Sequence, residues 1–182
     1  MYMEKIQSIA VYCGARAGNN AAYRRVAEEL GRELALRKIR LVYGGGGTGV
    51  MGVLSDSVLD NGGQVTGVIP RFLDSHEIAH DGLTELIKVD SMHIRKQTMF
   101  DRADAFIILP GGIGTLDEFF EIITWKQLKQ HNKPVILVNV SGCWDSINKL
   151  IDDLVKNDFL HGNISEIFRV VDNIGDVFSV FD

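Results

Sequence analysis

The chain has 182 residues, 46% of them hydrophobic and 24% charged, the balance of a folded globular protein rather than a disordered one. Its 19 Lys and Arg against 24 Asp and Glu leave a net charge of −5, which argues against a general nucleic-acid binder, since that needs a basic face. No apolar run approaches the roughly 20 residues of a membrane span, and the first residues lack an apolar core with a small-residue cleavage site, so a cytosolic protein is expected.

In chain order, residues 9–13 form a short apolar run that predicts a buried strand ending at Gly14. Asn20 can cap the helix that follows, in which Ala22, Val26, Leu30, Leu34 and Ala35 recur at helical spacing. A second strand, 39–43, stops at four glycines, and the helix 50–59 stops at Asn61-Gly62-Gly63. The third strand, 65–69, ends at Pro70 and a polar loop, 71–82. A fourth strand at 86–89, a helix at 93–102 and a fifth strand at 105–109 come next. The helix 114–128 carries Phe119, Ile122, Ile123 and Trp125 on its apolar side. A sixth strand, 135–140, a helix, 145–155, a short apolar run, 168–171, and an amphipathic turn or helix, 174–181, complete the chain.

Strands alternating with helices predict an α/β fold: a single doubly wound, Rossmann-like domain spanning 1–182, its mainly parallel sheet flanked by helices on both faces. Ligands of such sheets sit at the carboxyl ends of the strands, where both glycine clusters fall. Cys13 and Cys143 are far apart in sequence, form no CxxC pair, and are read as two free thiols.

Gly111, Gly112 and Gly114 lie between a strand and a helix. Glycine there lets an anion approach the backbone, and the helix N-terminus offers free N–H groups to it; the hydroxyl of Thr115 adds a donor. The sequence is neither GxGxxG nor a P-loop with its lysine, so the turn either grips a phosphate or is a tight connection without a ligand. The first cluster, which includes Gly45 and Gly46, is a second cradle or a place of close helix–sheet packing. Glu118 stands one helical turn from Gly114, within reach of a sugar attached to that phosphate, and Glu121 shares its face. Asp117 reads as a complement to the helix dipole. Arg95 and Lys96 are either a solvated face or part of the same rim; His93 is given no role. The polar loop carries Arg71, Asp74, Glu77, His80 and Asp81, whose spacing matches no metal-ligand set, so no metal is expected; Glu77 reads as a hydroxyl or base contact.

Pro110-Gly-Gly-Ile-Gly-Thr-Leu-Asp-Glu118 resembles the PGGxGTxxE signature of the Lonely Guy (LOG) family, cytokinin riboside 5′-monophosphate phosphoribohydrolases formerly mislabelled lysine decarboxylases. Tyr43 to Gly52, Gly67-Val-Ile-Pro70 followed by Glu77, Met92-His-Ile-Arg-Lys96 and Ile123-Thr-Trp125 are similar to further ordered elements of that family, across nearly the whole chain. The resemblance implies a hydrolase that cleaves AMP or an N6-substituted AMP to free base and ribose 5-phosphate, without a cofactor. It implies Arg95 and Glu118 as the catalytic pair, with Met92, Lys96, Glu77, Glu121, Thr124 and the glycine loops at the nucleotide. It also implies a homodimer with the site near the interface, and a nucleoside monophosphate as the bound substrate. The chain departs from the family's frequent Cys-Gly-Ser at Cys13-Gly14-Ala15-Arg16, where Arg16 is a candidate replacement for the lost hydroxyl. Two other readings stand beside it. One is a nucleotide-binding or carrier module without chemistry; the other is a pyridoxal-phosphate decarboxylase, against which the absence of a recognisable Schiff-base lysine context counts.

Overall fold

The structure is a computed structural model, and it describes residues 6–73, 79–160 and 163–181. In chain order its elements are β1 (Ser8–Tyr12), α1 (Ala21–Arg37), β2 (Arg40–Tyr43), α2 (Gly49–Asp60), β3 (Val65–Pro70), β4 (Glu85–Val89), α3 (Met92–Asp101), β5 (Ala105–Ile108), α4 (Ile113–Gln127), β6 (Val135–Val138), a 3-10 turn (Val140–Gly142), α5 (Asp145–Lys156), α6 (Ile164–Ile167), β7 (Arg169–Val171) and α7 (Ile174–Ser179).

The seven strands form one sheet in the order β4-β3-β2-β1-β5-β6-β7, and every pairing is parallel. The chain runs outward from β1 to β4, then returns to the other side of β1 for β5 to β7. The register sets Ile9 beside Ala105 and Tyr12 beside Ile108, so the ends of β1 and β5 lie level. That is the switch point of a doubly wound sheet, where two connections leave in opposite directions and open a crevice.

Both faces of the sheet are covered, which is why its inner strands read as continuous apolar runs rather than as alternating ones. Ile9 and Val11 face one layer, built from Val26, Leu30 and Leu34 of α1, Leu54 and Val58 of α2, and Val177 and Phe178 of α7. Ala10 and Tyr12 face the other, built from Met99 of α3, Phe119 and Ile122 of α4, and Ile151 of α5. Asn20 caps α1 as its position predicts, its Oδ1 accepting the Ala22 N–H at 2.9 Å.

Two features differ from the sequence reading. β6 ends at Val138, because Asn139 turns out of the extended region and Ser141 and Gly142 follow in left-handed backbone (φ 55° and 71°). α6 was not expected; it is one turn, capped by Asn163, too short to display a helical period. The sequence leaves the end of α1 open; it falls on Lys38 at φ 57°, with the Lys38 N–H donating to Ala35 O at 3.0 Å.

Candidate active site

Three connections meet above the switch point. The Gly14 N–H donates to Pro110 O at 3.0 Å, the Met51 N–H donates to Gly14 O at 3.1 Å, and the Thr48 hydroxyl donates to Ala15 O at 3.2 Å. The segments after β1, β2 and β5 are thus laced together, and they wall a cleft of about 520 Å³. α3 supplies Met92, Arg95 and Met99 to that cleft, and α4 supplies Gly114, Thr115, Asp117 and Glu118.

The glycines of the β5–α4 turn divide into two kinds. A Cβ on Gly111 would collide with the Thr115 hydroxyl, so this glycine is required by the chain itself. A Cβ on Gly112 or Gly114 would meet nothing within 4 Å, and neither residue has a positive φ. The fold gives no reason for glycine at these two positions. Both line the cleft at the start of α4, where Gly112 is the N-cap and provides no side-chain cap. The first N–H groups of α4 have no acceptor within the helix, so the turn keeps bare backbone donors and the positive end of a 15-residue helix at the cleft.

Gly45 and Gly46 do other work. Gly45 has φ +82°, packs on Ile69 and Leu86, and its carbonyl accepts the His80 N–H at 3.1 Å; Gly46 bridges Ala79. They fasten the segment after β3 to the end of β2 and do not line the cleft. Gly44 does line it, and a Cβ there would collide with Arg95 Nη2.

Arg95 is 6% exposed and Glu118 is 8% exposed, and both line the cleft. Arg95 Nη2 donates to Gly44 O at 3.1 Å and Nη1 meets Met92 Sδ at 3.8 Å. Its Nε is buried with no partner among the described residues. The guanidinium is a planar donor fork that borders the cleft with its Nε unpartnered. The charges of the pair are felt nearby. Burial raises the Tyr12 phenol well above its usual range, with Glu118 and Glu121 adding to the rise and Arg95 opposing it. Burial likewise pushes the Cys13 thiol up, with Glu118 adding and Arg95 opposing. Both groups therefore keep their protons, and Cys13 is no thiolate nucleophile.

Lys96 does not reach the cleft. Its Nζ pairs with Glu121 Oε1 at 3.0 Å and Asp117 Oδ2 at 3.2 Å, tying α3 to α4. Burial disfavours its charge, but the hydrogen bonds and charges of Glu121 and Asp117 outweigh this and raise its pKa. Thr124 is exposed, its hydroxyl donating to Phe120 O at 2.6 Å, and it too lies off the cleft. Glu77 lies outside the described residues. Of the residues singled out from the sequence, the structure thus gathers Met92, Arg95, Gly111, Gly112, Gly114, Thr115 and Glu118 around one space, and Arg16 joins them. Among the described residues, no group of three or more His, Cys, Asp and Glu side chains converges as a metal site requires.

The family model described as "Possible lysine decarboxylase" matches residues 51–181. A cytokinin riboside 5′-monophosphate phosphoribohydrolase of Rhodococcoides fascians is 52% identical over 155 residues, covering 85% of this chain and 78% of its own. One of the same name from Arabidopsis thaliana is 48% identical over 156 residues, covering 86% of this chain and 73% of its own. The chain belongs to the Lonely Guy family. Solved structures share its fold at much lower identity. A molybdenum cofactor binding protein of Rippkaea orientalis is 21% identical with a TM-score of 0.71, covering 98% of this chain and 99% of its own. A Moco carrier protein of Chlamydomonas reinhardtii is 19% identical with a TM-score of 0.71, covering 97% and 95%.

In this Lonely Guy chain the cleft also has walls that the sequence reading gave no role: Tyr12, Met51 and Met99, and the corner Cys143-Trp144 between β6 and α5. The rule that drew attention to the glycine loops, that ligands gather where strands end, applies equally to residues 141–144. Without a glycine signature that corner carried no further signal.

Proposed function

We propose that the protein hydrolyses the N-glycosidic bond of a nucleoside 5′-monophosphate, AMP or an N6-substituted AMP, giving the free base and ribose 5-phosphate. The observation that carries this reading is the buried Arg95 and Glu118 facing one cleft beside a bare helix N-terminus, whose Gly112 and Gly114 border empty space. The names of relatives 42–52% identical point the same way.

In this reading the 5′-phosphate rests on the backbone donors of Gly112 to Thr115. That sets the ribose toward Glu118, one turn further along α4. The C1′–N bond breaks through an oxocarbenium-like sugar, which a carboxylate stabilises by charge. Glu118 takes a proton from water as the water oxygen adds to C1′, the base leaves with the bond's electron pair, and that same proton is passed on to the base, restoring the carboxylate. Arg95 offers the positive charge that the departing base or the phosphate requires. Water is the only co-substrate. The reading extends to a cytosolic homodimer: Ile94 and Ile113, 48% and 87% exposed, are large apolar side chains on the two helices that flank the cleft. Light scattering of the purified chain tests that part.

The decisive experiment is product analysis with AMP, GMP, CMP and N6-isopentenyl-AMP. Equal amounts of free base and ribose 5-phosphate are expected from the adenine nucleotides. Tight AMP binding without base release overturns the hydrolytic reading in favour of a carrier.

A further inference from the structure

The β6–α5 corner is built with unusual care for a connection. Asn139 Oδ1 accepts the Trp144 N–H at 2.7 Å, and Asn139 Nδ2 donates to Asp145 Oδ1 at 2.8 Å. The Gly142 N–H closes back on Asn139 O at 3.0 Å, and the Asn139 N–H donates to Val171 O at 2.7 Å. One side chain thus pins both sides of a turn that passes through two left-handed residues. The residue held by all this is Trp144, which lines the cleft and is 5% exposed.

Its indole Nε1 is buried and has no hydrogen-bond partner among the described residues. A buried N–H without an acceptor is a cost that native structures seldom leave standing. Among side chains lining the cleft, the other orphaned buried donor is Arg95 Nε, a charged group suited to anions. Trp144 offers a neutral donor on an apolar ring. Its fitting partner is a neutral acceptor on a flat, apolar body, and in a nucleotide that describes the base, not the phosphate or the ribose. The bare N-terminus of α4 and the Trp144 corner are distinct walls of the same cleft.

We propose that the Trp144 indole N–H donates a hydrogen bond to a ring nitrogen of the base, making Trp144 a base-binding residue of the nucleotide site. This rests on the nucleotide reading of the cleft given above. The competing use of the donor is structural: Asn148 Oδ1, one turn along α5, is also buried without a partner, although Asn148 does not line the cleft.

The test compares AMP with ribose 5-phosphate, which keeps the phosphate and sugar and lacks the base. In Trp144→Phe the affinity for AMP falls about tenfold, the worth of one hydrogen bond, and the affinity for ribose 5-phosphate is unchanged. An equal loss for both ligands, or a lower melting temperature with AMP affinity intact, overturns the proposal. A second measurement leaves Trp144 in place. Trp125 packs edge-on against Phe100 and does not line the cleft, so Trp125→Phe leaves Trp144 as the single indole reporter. Its fluorescence shifts with AMP and not with ribose 5-phosphate; a flat response to AMP bound at saturation overturns the contact. Base release is read separately. A fluorescence shift without free adenine sinks the hydrolytic reading and leaves the base contact standing. Adenine release with a silent indole does the reverse.

Discussion

Arg95 and Glu118 bring groups of opposite charge to positions only 6% and 8% exposed, where burying a charge is costly. Glu118→Gln keeps the shape and a hydrogen-bonding end while removing the charge. Base release from AMP is expected to fall about 100- to 10,000-fold, with the melting temperature nearly unchanged; turnover and a thermal scan on the same preparation check both halves. Arg95→Lys keeps the charge and loses the planar fork, and kcat/KM is expected to fall about 10- to 100-fold. Near-wild-type turnover in either variant counts against the assignment. Glu118 was legible in the sequence because helical spacing alone carries it one turn from the glycine turn. Lys96 was not. Its partners Asp117 and Glu121 lie on a different helix, and which helices neighbour one another is a non-local fact that no window of residues contains. Trp144 was missed for a related reason, since an aromatic residue before a helix looks the same whether it fills a core or borders a cleft.

Among the elements, α4 does the most. Its N-terminus faces the cleft, its apolar side buries Phe119 and Ile122, and its acidic side holds α3 through Lys96. Gly112→Ala and Gly111→Ala separate the first role from mere folding. At Gly112 the added methyl has room, and the smaller unfolded-state entropy offsets the poorer N-cap that Ala makes, so stability changes by less than about 1 kcal/mol, while the KM for AMP rises because the methyl occupies the cradle. At Gly111 the methyl strikes Thr115, and stability falls. If Gly112→Ala leaves KM unmoved, the phosphate does not sit there. The Lys96 clamp has its own signature. The folded state favours the charged ammonium, so its contribution is complete at pH values below the free-lysine value of about 10.4 and disappears as pH rises through the raised native value. Replacing Lys96 by Met is expected to cost about 1 kcal/mol at neutral pH, or about 2–4 °C for a chain of this size. Melting curves of the two proteins should converge only above about pH 10.4. A gap that persists in strong alkali points to packing of the lysine stem instead.

For the molecule as a whole, alternating apolar strands and helices were enough to read a parallel, two-faced sheet, because each strand buried on both sides must be apolar throughout. The order of the strands was not readable, since it depends on which way each crossover travels. That order places β1, nearly the first segment of the chain, between β2 and β5 at the middle of the sheet. The stretch that the family model matches, residues 51–181, leaves out β1, α1 and β2. What remains is a β3–β4 pair and a β5–β6–β7 trio with no strand to join them. Residues 51–181 therefore carry the family match without the strands that join the two parts of the sheet. Expressed alone, that fragment is expected to melt without cooperativity, and adding residues 1–50 as a separate peptide should restore a single transition. A cooperative melt of the fragment by itself would argue otherwise. The candidate cleft opens at the ends of β1 and β5, so its two walls meet only where a strand from outside the matched stretch joins one from inside it.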